Sequence, residues 1–376
     1  MTSKQKAAQL LAKAGIEING KNPWDIQVRD ERFYDRVFSS GTLAVGESYM
    51  DGWWNVEDLP TFFNKVISAR LDKELRNIGT LWYFIKAWVL NMQNKDRALE
   101  VAHKHYDVGN DLYERMLGRT MTYTCGYWSP SDASGPTARD LDEAQEHKLD
   151  LVCRKLNFKA GQTVLDIGCG WGSFAKFAAE KYGVKMIGIT ISKEQAELAR
   201  EVCKGLPVEI KLEDYRDTTG QFDHIVSLGM FEHVGPKNYR TYMEKVHALL
   251  KDDGLFLLHT IGTTKSVIAV DPWIDKYIFP GGVLPSVAYI GKAIDDLLIL
   301  EDWHSFGPDY EKTLLAWCMN FEKGWPGIQD KYSERFYRMW RFYLHISAAT
   351  FRMRDNQLWQ IVLSKKGIMG GYRSVR

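Results

Sequence analysis

The strongest constraint on the fold of this chain is a regular alternation of strand and helix patterns that begins near residue 141. Helical spacing of apolar residues separates short apolar runs that predict strands, and these runs lie at 163–167, 185–189, 208–212, 222–228 and 254–259. Such alternation predicts an α/β fold with a mostly parallel sheet and helices on both of its faces. Because ligands bind such sheets at the carboxyl ends of the strands, we expect the chemistry directly after these runs.

The first part of the chain has a different pattern and predicts a small, mainly helical N-terminal domain at 1–88. Asp58-Leu-Pro60 is typical of a helix start, with Asp as the cap and Pro in the first turn. The apolar segment Leu81–Leu90 could lie in a membrane interface or form a buried helix. We expect a helical linker at 89–107 and the α/β domain at 108–376.

The charge balance excludes functions that need a strongly basic surface. The 49 Lys+Arg and 48 Asp+Glu residues leave a net charge of +1, so no global field attracts nucleic acid. The five cysteines form no C-x-x-C pair, which predicts neither a disulfide framework nor a metal site and favours a reducing compartment. No apolar run approaches the roughly 18 residues of a spanning helix, and no signal peptide is expected. We therefore expect a cytoplasmic chain without a metal ion or a nucleic-acid partner.

A glycine-rich string follows the first strand of the α/β domain and reads Val164-Leu-Asp-Ile-Gly-Cys-Gly-Trp-Gly172. Glycines let the backbone approach a ligand closely, although a lone G-x-G-x-G also occurs in structural turns. Asp166 lies two residues before the first glycine, and the third glycine follows only two residues after the second. These two features distinguish the string from the nicotinamide-binding fingerprint. The string resembles the first motif of the class I S-adenosylmethionine (SAM) methyltransferases. That resemblance implies a Rossmann-like fold, with Gly168, Gly170 and Gly172 under the amino-acid part of SAM and Asp166 bracing the loop.

Further strings narrow the class. They are Gly46-Glu-Ser-Tyr-Met-Asp-Gly-Trp-Trp54, His105-Tyr-Asp-Val-Gly-Asn-Asp111, Tyr123-Thr-Cys-Gly-Tyr-Trp128, Gly229-Met-Phe-Glu-His-Val-Gly235, Leu257-Leu-His-Thr-Ile-Gly262, Asp271-Pro-Trp-Ile-Asp-Lys-Tyr-Ile-Phe-Pro280, Glu301-Asp-Trp-His304, Asp309-Tyr310 and Arg352-Met-Arg-Asp355. Together they resemble the bacterial cyclopropane-fatty-acyl-phospholipid synthases, relatives of the mycolic acid cyclopropane synthases. The resemblance covers nearly the full length, including the N-terminal domain.

This resemblance extends the cofactor site. It implies that Tyr123 and Thr124 contact SAM. Thr190 and Gln195 follow the second strand, where a hydroxyl and an amide can bind the ribose without charge, although Gln195 also completes a capping box with Ser192. Both interpretations can hold together. Tyr215 and Arg216 follow the third strand, where relatives contact adenine, or they form a surface turn.

The resemblance also implies a reaction, in which the methyl carbon of SAM is added to the cis double bond of an unsaturated acyl chain. Loss of a proton then closes a cyclopropane ring. Such a site must tolerate a buried cation, supply a base and exclude water. Aromatic faces stabilise a cation, which suits the neighbourhoods of Tyr123, Tyr127, Trp128 and Tyr310.

Glu232 and His259 follow the fourth and fifth strands, so we expect both in one crevice. A carboxylate and an imidazole there can act as base and orienter, or can hold a small acid. The resemblance implies a bicarbonate ion as the base, held by the side chains of Glu232, His259 and Tyr310 and by the backbone at Cys125 and Ile261. A polar strand end and a core histidine are the alternatives for Glu232 and His259. A nucleophilic Cys125 is disfavoured because SAM already activates the methyl group.

The implied substrate is an unsaturated phospholipid in a membrane bilayer, so we expect a peripheral protein on the inner face of the cell membrane, and relatives suggest a homodimer. The basic segment Ser364–Arg376 could attract anionic head groups, although a solvated tail is the default. Pro272 to Pro280 could roof the acyl pocket. Two alternatives remain open: a methyltransferase that makes a methyl-branched lipid or methylates another small lipid-like substrate, and a non-catalytic lipid-binding protein that retains the SAM fold.

Overall fold

The structure is a computed structural model that describes residues 1–75, 109–128 and 137–376. The boundary expected at residue 88, the linker expected at 89–107 and the apolar segment Leu81–Leu90 lie outside these ranges. Among the described residues, no helix combines the length and apolarity that a membrane span requires.

The N-terminal segment is mainly helical, as its pattern predicts. Its helices span Ser3–Lys13, Arg32–Met50, Leu59–Ser68 and Leu71–Glu74, and the short strands β1 (Gln27–Val28) and β2 (Trp54–Asn55) pair antiparallel. The helix Arg32–Met50 is interrupted at Gly41, whose φ is 60°. The predicted start at Asp58 is confirmed, because its side chain accepts a hydrogen bond from the Thr61 N–H at 3.0 Å.

A seven-stranded sheet forms the centre of the α/β domain. Its strands are β3 (Thr163–Ile167), β4 (Lys185–Thr190), β5 (Val208–Leu212), β6 (Phe222–Leu228), β7 (Leu250–Thr263), β8 (Ile299–Ser305) and β9 (Asn356–Ser364). Their order is β5-β4-β3-β6-β7-β9-β8; the first five run parallel, β9 runs antiparallel to them, and β8 pairs antiparallel with β9 and so runs in the direction of the first five. The five predicted strands are therefore present, and β7 is longer than its predicted range at both ends.

The helices that accompany this sheet begin at polar caps in several cases, such as Asp140, Ser192 and Ser286. They span Asn110–Leu117, Leu141–Lys155, Ser173–Tyr182, Lys193–Val202, Tyr239–Leu249, Pro272–Tyr277, Val287–Ile294, Pro308–Gly324 and Glu334–Arg352. Successive strand residues point to opposite faces. Val164 joins a core with the helices Leu141–Lys155 and Ser173–Tyr182, whereas Leu165 joins another core with Tyr239–Leu249. Helices thus cover both faces, as predicted.

The strand order places a crevice between β3 and β6. From β3 the chain moves outward through β4 and β5 and then returns to β6 on the other side of β3. The carboxyl ends of β3 and β6 therefore diverge at a topological switch point, the usual position of a ligand in such sheets. Gly168 and Gly229 follow these two strand ends directly.

One hydrophobic core joins the N-terminal helices to the C-terminal part of the chain. Phe342, in the helix Glu334–Arg352, is 3% exposed. Its ring lies 5.6 Å from that of Tyr49, 5.0 Å from Phe63 and 4.6 Å from Trp273. Burial of such aromatic groups contributes a large share of the stability of a core. The N-terminal segment therefore depends on packing against residues almost 300 positions later in the sequence.

Most of the basic C-terminal segment is exposed, as expected for a solvated tail, but three of its four cations bond to the rest of the protein. The Arg376 guanidinium donates to both carboxylate oxygens of Asp302, at 2.6 and 2.8 Å. Lys366 donates to Asp252 at 2.6 Å, and Lys365 donates to the Leu250 carbonyl at 2.7 Å. These cations already have partners, which weakens the expectation that the segment attracts head groups.

We expect Phe342→Ala to lower the free energy of unfolding by about 3–5 kcal/mol, because it removes a large ring from a closely packed core. Urea unfolding followed by circular dichroism measures the change. Met319→Ala is the matched control, since Met319 is 67% exposed and exposed substitutions usually change stability by about 0.5 kcal/mol or less. Equal effects of the two substitutions would contradict a shared core.

Candidate active site

A single cavity of about 740 Å³ connects the carboxyl edge of the sheet with the N-terminal helices. Most of the predicted site residues line it, namely Tyr123, Thr124, Asp166, Gly168, Gly170, Thr190, Gln195, Tyr215, Arg216, Glu232, His259, Ile261 and Tyr310. Cys125 and Gly172 are not among the residues of its wall. The crevice predicted for Glu232 and His259 is therefore present, and it belongs to the same space as the glycine loop.

The glycine loop has the backbone that its sequence predicts. Gly168, Gly170 and Gly172 have φ values of 84°, 55° and 83°, a region that side chains disfavour. A Cβ added at Gly170 would meet no atom within 4 Å, so this glycine faces open space. Gly172 differs, because an added Cβ would lie 3.1 Å from the Ala199 Cβ. Gly172 thus allows close packing beneath the loop, while Gly168 and Gly170 present backbone to the cavity.

The end of β4 supports both interpretations of Gln195. The Ser192 hydroxyl accepts a hydrogen bond from the Gln195 N–H at 3.3 Å, which is half of a capping box. The Gln195 side chain does not complete that box, because its Oε1 accepts from the Thr190 hydroxyl at 2.9 Å. Thr190 and Gln195 therefore form a polar pair on the cavity wall that can bind hydroxyl groups.

Tyr215 and Arg216 are not a simple surface turn. Both line the cavity, and Tyr215 is 8% exposed. The Arg216 guanidinium lies over the Tyr215 ring at 5.1 Å and pairs with the Asp214 carboxylate at 3.2 Å. This arrangement places a flat aromatic surface and a cation at the end of the cavity that lies next to β5.

The segment Tyr123–Cys125 lies beside the loop and is held from the helix Leu141–Lys155. Gln145, which the sequence reasoning missed, donates from its side-chain amide to the Thr124 carbonyl at 2.7 Å. The Tyr123 hydroxyl contacts the Tyr343 hydroxyl at 3.0 Å. The Cys125 thiol donates to the Gly126 carbonyl at 3.1 Å, and burial raises its pKa well above the usual value. Cys125 is therefore a neutral thiol.

Glu232 lies in the short 3₁₀ turn Phe231–His233, directly after β6. Its Oε1 accepts a hydrogen bond from the Ile261 N–H at 2.6 Å, while its buried Oε2 has no hydrogen-bond partner. Burial raises the pKa of Glu232 to about 7, because a charge is poorly solvated there. At neutral pH the carboxyl can therefore donate as well as accept a hydrogen bond.

His259 pairs with Leu228 across the sheet and so lies level with the end of β6. Gln360 lies opposite His259 on β9, and its side-chain nitrogen is 3.3 Å from the His259 Nδ1. If this amide donates, the imidazole carries its proton on Nε2, a buried atom without a partner. Burial lowers the pKa of His259 well below its usual value, so the ring is neutral. Gln360 was missed because its strand was not predicted.

Tyr310 completes this group from the helix Pro308–Gly324. Its ring lies 4.5 Å from that of Phe351 and 5.9 Å from that of Trp317. Burial raises the pKa of Tyr310 well above its usual value, which keeps the phenol protonated. Tyr123 also lines the cavity, but Tyr127 and Trp128 do not. The expectation that these two contribute to the aromatic lining is wrong. The Tyr127 ring packs on Phe306, and the Trp128 indole N–H donates to the Thr313 hydroxyl.

The N-terminal helices supply the apolar end of the cavity. Phe33, Val37, Phe62 and Phe63 line it from one side. The predicted roof is also present, formed by Trp273, Ile274, Phe279 and Pro280. Gly46 makes room for this roof, since a Cβ at that position would lie 2.3 Å from the Trp273 ring. The cavity is thus polar at the sheet and apolar beneath the N-terminal segment.

One other group of side chains has the chemistry of metal ligands. In the part of the chain that the structure describes, Cys318, Glu322 and His345 bring their ligand atoms within 4.8 Å of one another. The Cys318 sulfur lies 3.3 Å from the His345 Nε2, and Glu322 accepts from Arg341 at 2.6 Å. Hydrogen bonds thus engage the group, and the absence of a metal ion stays a prediction.

Comparison with known proteins identifies the family. The family model for mycolic acid cyclopropane synthetase matches residues 93–361. The chain is 50% identical over 371 residues to the cyclopropane-fatty-acyl-phospholipid synthase of Escherichia coli (strain K12), a match that covers 98% of this chain and 95% of the relative. It is 33% identical over 361 residues to the tuberculostearic acid methyltransferase of Mycobacterium tuberculosis, covering 90% of this chain and 82% of that protein.

Solved structures agree with this result. Mycolic acid cyclopropane synthase CmaA1, complexed with SAH and CTAB, superposes with a TM-score of 0.65 at 30% identity, covering 71% of this chain and 98% of the other. The cyclopropane synthase MmaA2 from Mycobacterium tuberculosis has a TM-score of 0.66 at 28% identity, covering 73% and 100%. The Rossmann-like methyltransferase fold is confirmed, and the chain belongs to the mycolic acid cyclopropane synthetase family.

Proposed function

We propose that this enzyme is a SAM-dependent methyltransferase that converts the cis double bond of an unsaturated phospholipid acyl chain into a cyclopropane ring. Family membership supports the reaction class, and the 50% identity to a cyclopropane-fatty-acyl-phospholipid synthase supports the substrate. The observation that carries the proposal is the continuity of the cavity. The glycine loop, the Glu232 and His259 pair and the apolar side chains of the N-terminal helices all line this one cavity.

The residues at the sheet end fit SAM. Gly170 faces open space, so backbone can approach a ligand there. The buried Asp166 Oδ1 lacks a hydrogen-bond partner, which a ligand ammonium group would satisfy. Thr190 and Gln195 suit ribose hydroxyls, and Tyr215 offers a flat surface to a base. When bound, SAM supplies the electrophilic methyl group that an unactivated alkene requires.

We also propose bicarbonate as a second small ligand of the site, because the hydrogen-bond donors there suit an anion. Protonated Glu232, neutral His259 with its proton on Nε2, and the Tyr310 phenol are all neutral hydrogen-bond donors that can surround an anion. Two of their atoms, Glu232 Oε2 and His259 Nε2, are buried without partners. When bound, bicarbonate supplies the proton acceptor. The Ile261 N–H, which the resemblance assigns to the ion, donates to Glu232 in this structure.

The aromatic lining has two tasks in this proposal. Faces of Tyr123 and Tyr310 stabilise positive charge that develops on the acyl chain, by roughly 0.5–2 kcal/mol each. The same rings, with Phe279 and Tyr343, keep water from the reacting carbons. Water would otherwise trap the cation as an alcohol. Cys125 has no step in this chemistry, since its thiol is neutral and lies off the cavity wall.

The route to the lipid also remains a proposal. We infer that the protein binds the surface of a bilayer peripherally, on the inner face of the cell membrane, and that it acts as a homodimer. The N-terminal helices support the first point, because they form the apolar end of the cavity where an acyl chain would enter. The domain division at 88 and 108 likewise stays a proposal.

Product analysis tests the function. The purified chain, incubated with SAM and vesicles of unsaturated phospholipid, is expected to yield acyl chains that gain one CH₂ and lose their alkene, as mass spectrometry and NMR will show. Buffer depleted of bicarbonate should reduce the rate, and added bicarbonate should restore it. A product that gains CH₂ but keeps a double bond would be a methyl-branched alkene and would contradict ring closure.

Two substitutions distinguish the role of the Glu232 carboxyl from that of the Cys125 thiol. Glu232→Gln is expected to lower kcat by roughly a hundredfold or more, because an amide cannot exchange a proton with the bound anion, as a carboxyl with a pKa of about 7 can. Cys125→Ser is expected to keep appreciable activity, since the thiol supplies neither a nucleophile nor a base. SAM affinity measured by calorimetry should stay normal in both. Complete inactivity of Cys125→Ser with normal SAM affinity would overturn this assignment.

The raised pKa of Glu232 predicts a pH-dependent stability. A carboxyl whose folded pKa of about 7 exceeds its unfolded value of about 4.3 stabilises the fold at low pH. That contribution is lost as pH rises through 7. Glu232→Gln should therefore gain stability relative to the unsubstituted protein between pH 5 and pH 8, by roughly 3 kcal/mol at most. Urea unfolding of both ligand-free proteins measures this difference, and a difference that is constant with pH would show that burial does not shift this pKa.

A further inference from the structure

Lys148 is a buried cation that the proposed chemistry does not use. It lies in the helix Leu141–Lys155, is 0% exposed and lines the cavity. Its ammonium donates to the Thr124 hydroxyl at 2.8 Å. Burial of an ammonium group is costly unless an anion compensates it. Lys148 therefore needs an explanation beyond its bond to a neutral hydroxyl.

Structural support of Thr124 does not explain the charge. Gln145, one turn earlier on the same helix, already holds the Thr124 carbonyl at 2.7 Å with a neutral amide. An apolar or neutral side chain at position 148 would complete the packing at lower desolvation cost. The ammonium at this position therefore indicates a role toward a charged group.

A second buried lysine on the same helix shows how the protein pairs such a cation. Lys155 is also 0% exposed, but its ammonium lies 3.8 Å from the Asp302 carboxylate and 3.1 Å from the His304 Nδ1. Within the part of the chain that the structure describes, Lys148 lacks such a partner: burial lowers its pKa to about 7, and the Asp166 carboxyl acts electrostatically in the opposite direction. Among the described residues, no ion pair joins Lys148 directly to Asp166, and the buried Asp166 Oδ1 has no hydrogen-bond partner. A cation and an anion thus line the cavity beside the glycine loop without a direct contact.

The amino-acid end of SAM has the complementary charges. It is a zwitterion with an α-carboxylate and an α-ammonium group, and a charge-assisted hydrogen bond to each would satisfy both buried side chains. We propose that Lys148, together with the Thr124 hydroxyl, binds the α-carboxylate of SAM, while Asp166 accepts the α-ammonium group. This assignment rests on the proposed function, since it requires SAM at the glycine loop. It makes the pair of buried charges the element that distinguishes SAM from adenosine compounds without an amino-acid part.

Equilibrium binding tests the assignment without an activity measurement. Calorimetry would compare S-adenosylhomocysteine (SAH), an SAH analogue whose carboxylate is replaced by an amide, and 5′-methylthioadenosine, which lacks the amino-acid part. Lys148→Met is expected to weaken SAH binding by roughly ten- to a hundredfold, the usual loss when a charged hydrogen bond is removed. Its affinity for 5′-methylthioadenosine should stay within about threefold of the unsubstituted protein.

Lys155→Met is the matched control, because it makes the same change to a buried lysine on the same helix. It should leave the preference for SAH over 5′-methylthioadenosine unchanged, and thermal unfolding verifies that both variants are folded. The amide analogue tests the assignment in the unsubstituted protein, which should bind it roughly tenfold or more weakly than SAH. In Lys148→Met the preference for SAH over the amide analogue should largely disappear, leaving only the contribution of the Thr124 hydroxyl.

Three outcomes would overturn the assignment. They are an unchanged SAH affinity in folded Lys148→Met, an equal loss for SAH and 5′-methylthioadenosine, or equal binding of SAH and its amide by the unsubstituted protein. An unsubstituted protein that binds none of these compounds would instead contradict the proposed function. The two failures are therefore distinguishable.

Discussion

The removal of water from one edge of a parallel sheet is the constraint on which the rest of this structure depends. The carboxyl ends of β3, β4, β5 and β6 and the C-terminal half of β7 border one cavity, and the N-terminal helices line its other end with aromatic and aliphatic side chains. A reactive cation on an acyl chain survives only where water is absent. In the proposed reaction the N-terminal segment is therefore part of the site, because its side chains line the same cavity as the polar groups at the sheet edge.

The same exclusion of water sets the protonation of the groups that line the cavity. Burial raises the pKa values of Glu232 and Asp166 to about 7, lowers that of Lys148 to about 7, and keeps His259 neutral. The three groups whose pKa lies near 7 need little free energy to exchange a proton at neutral pH. The site therefore combines neutral hydrogen-bond donors with two buried groups of opposite charge that do not contact each other, which suits an anion next to a zwitterion. Each of these shifts also reduces the stability of the ligand-free protein at some pH.

Several features were predictable because their signals are local. The glycine string, the five parallel strands and the Asp58 cap each depend on residues within about a dozen positions of one another. The α/β class and the carboxyl edge of the sheet followed from these patterns. The last two strands of the sheet, β8 and β9, did not, although Leu358–Leu363 is apolar except for Gln360, because no neighbouring strand–helix alternation marked this segment as part of the sheet. Gln360 was missed with its strand, and Tyr127 and Trp128 were placed at the cavity because sequence proximity to Tyr123 does not determine which way a ring points.

The sequence by itself determined the class of fold, the position of the glycine loop and, through strings matched over nearly the whole chain, the family. It could do so because strand and helix periodicity and backbone turns are properties of short segments. Only the tertiary structure decided that the predicted crevice of Glu232 and His259 is continuous with Tyr310 and the glycine loop, that Gln360 contacts His259, and that Lys148 faces this space. These contacts join residues 27 to over 100 positions apart, and the burial that shifts their pKa values comes from side chains throughout the fold.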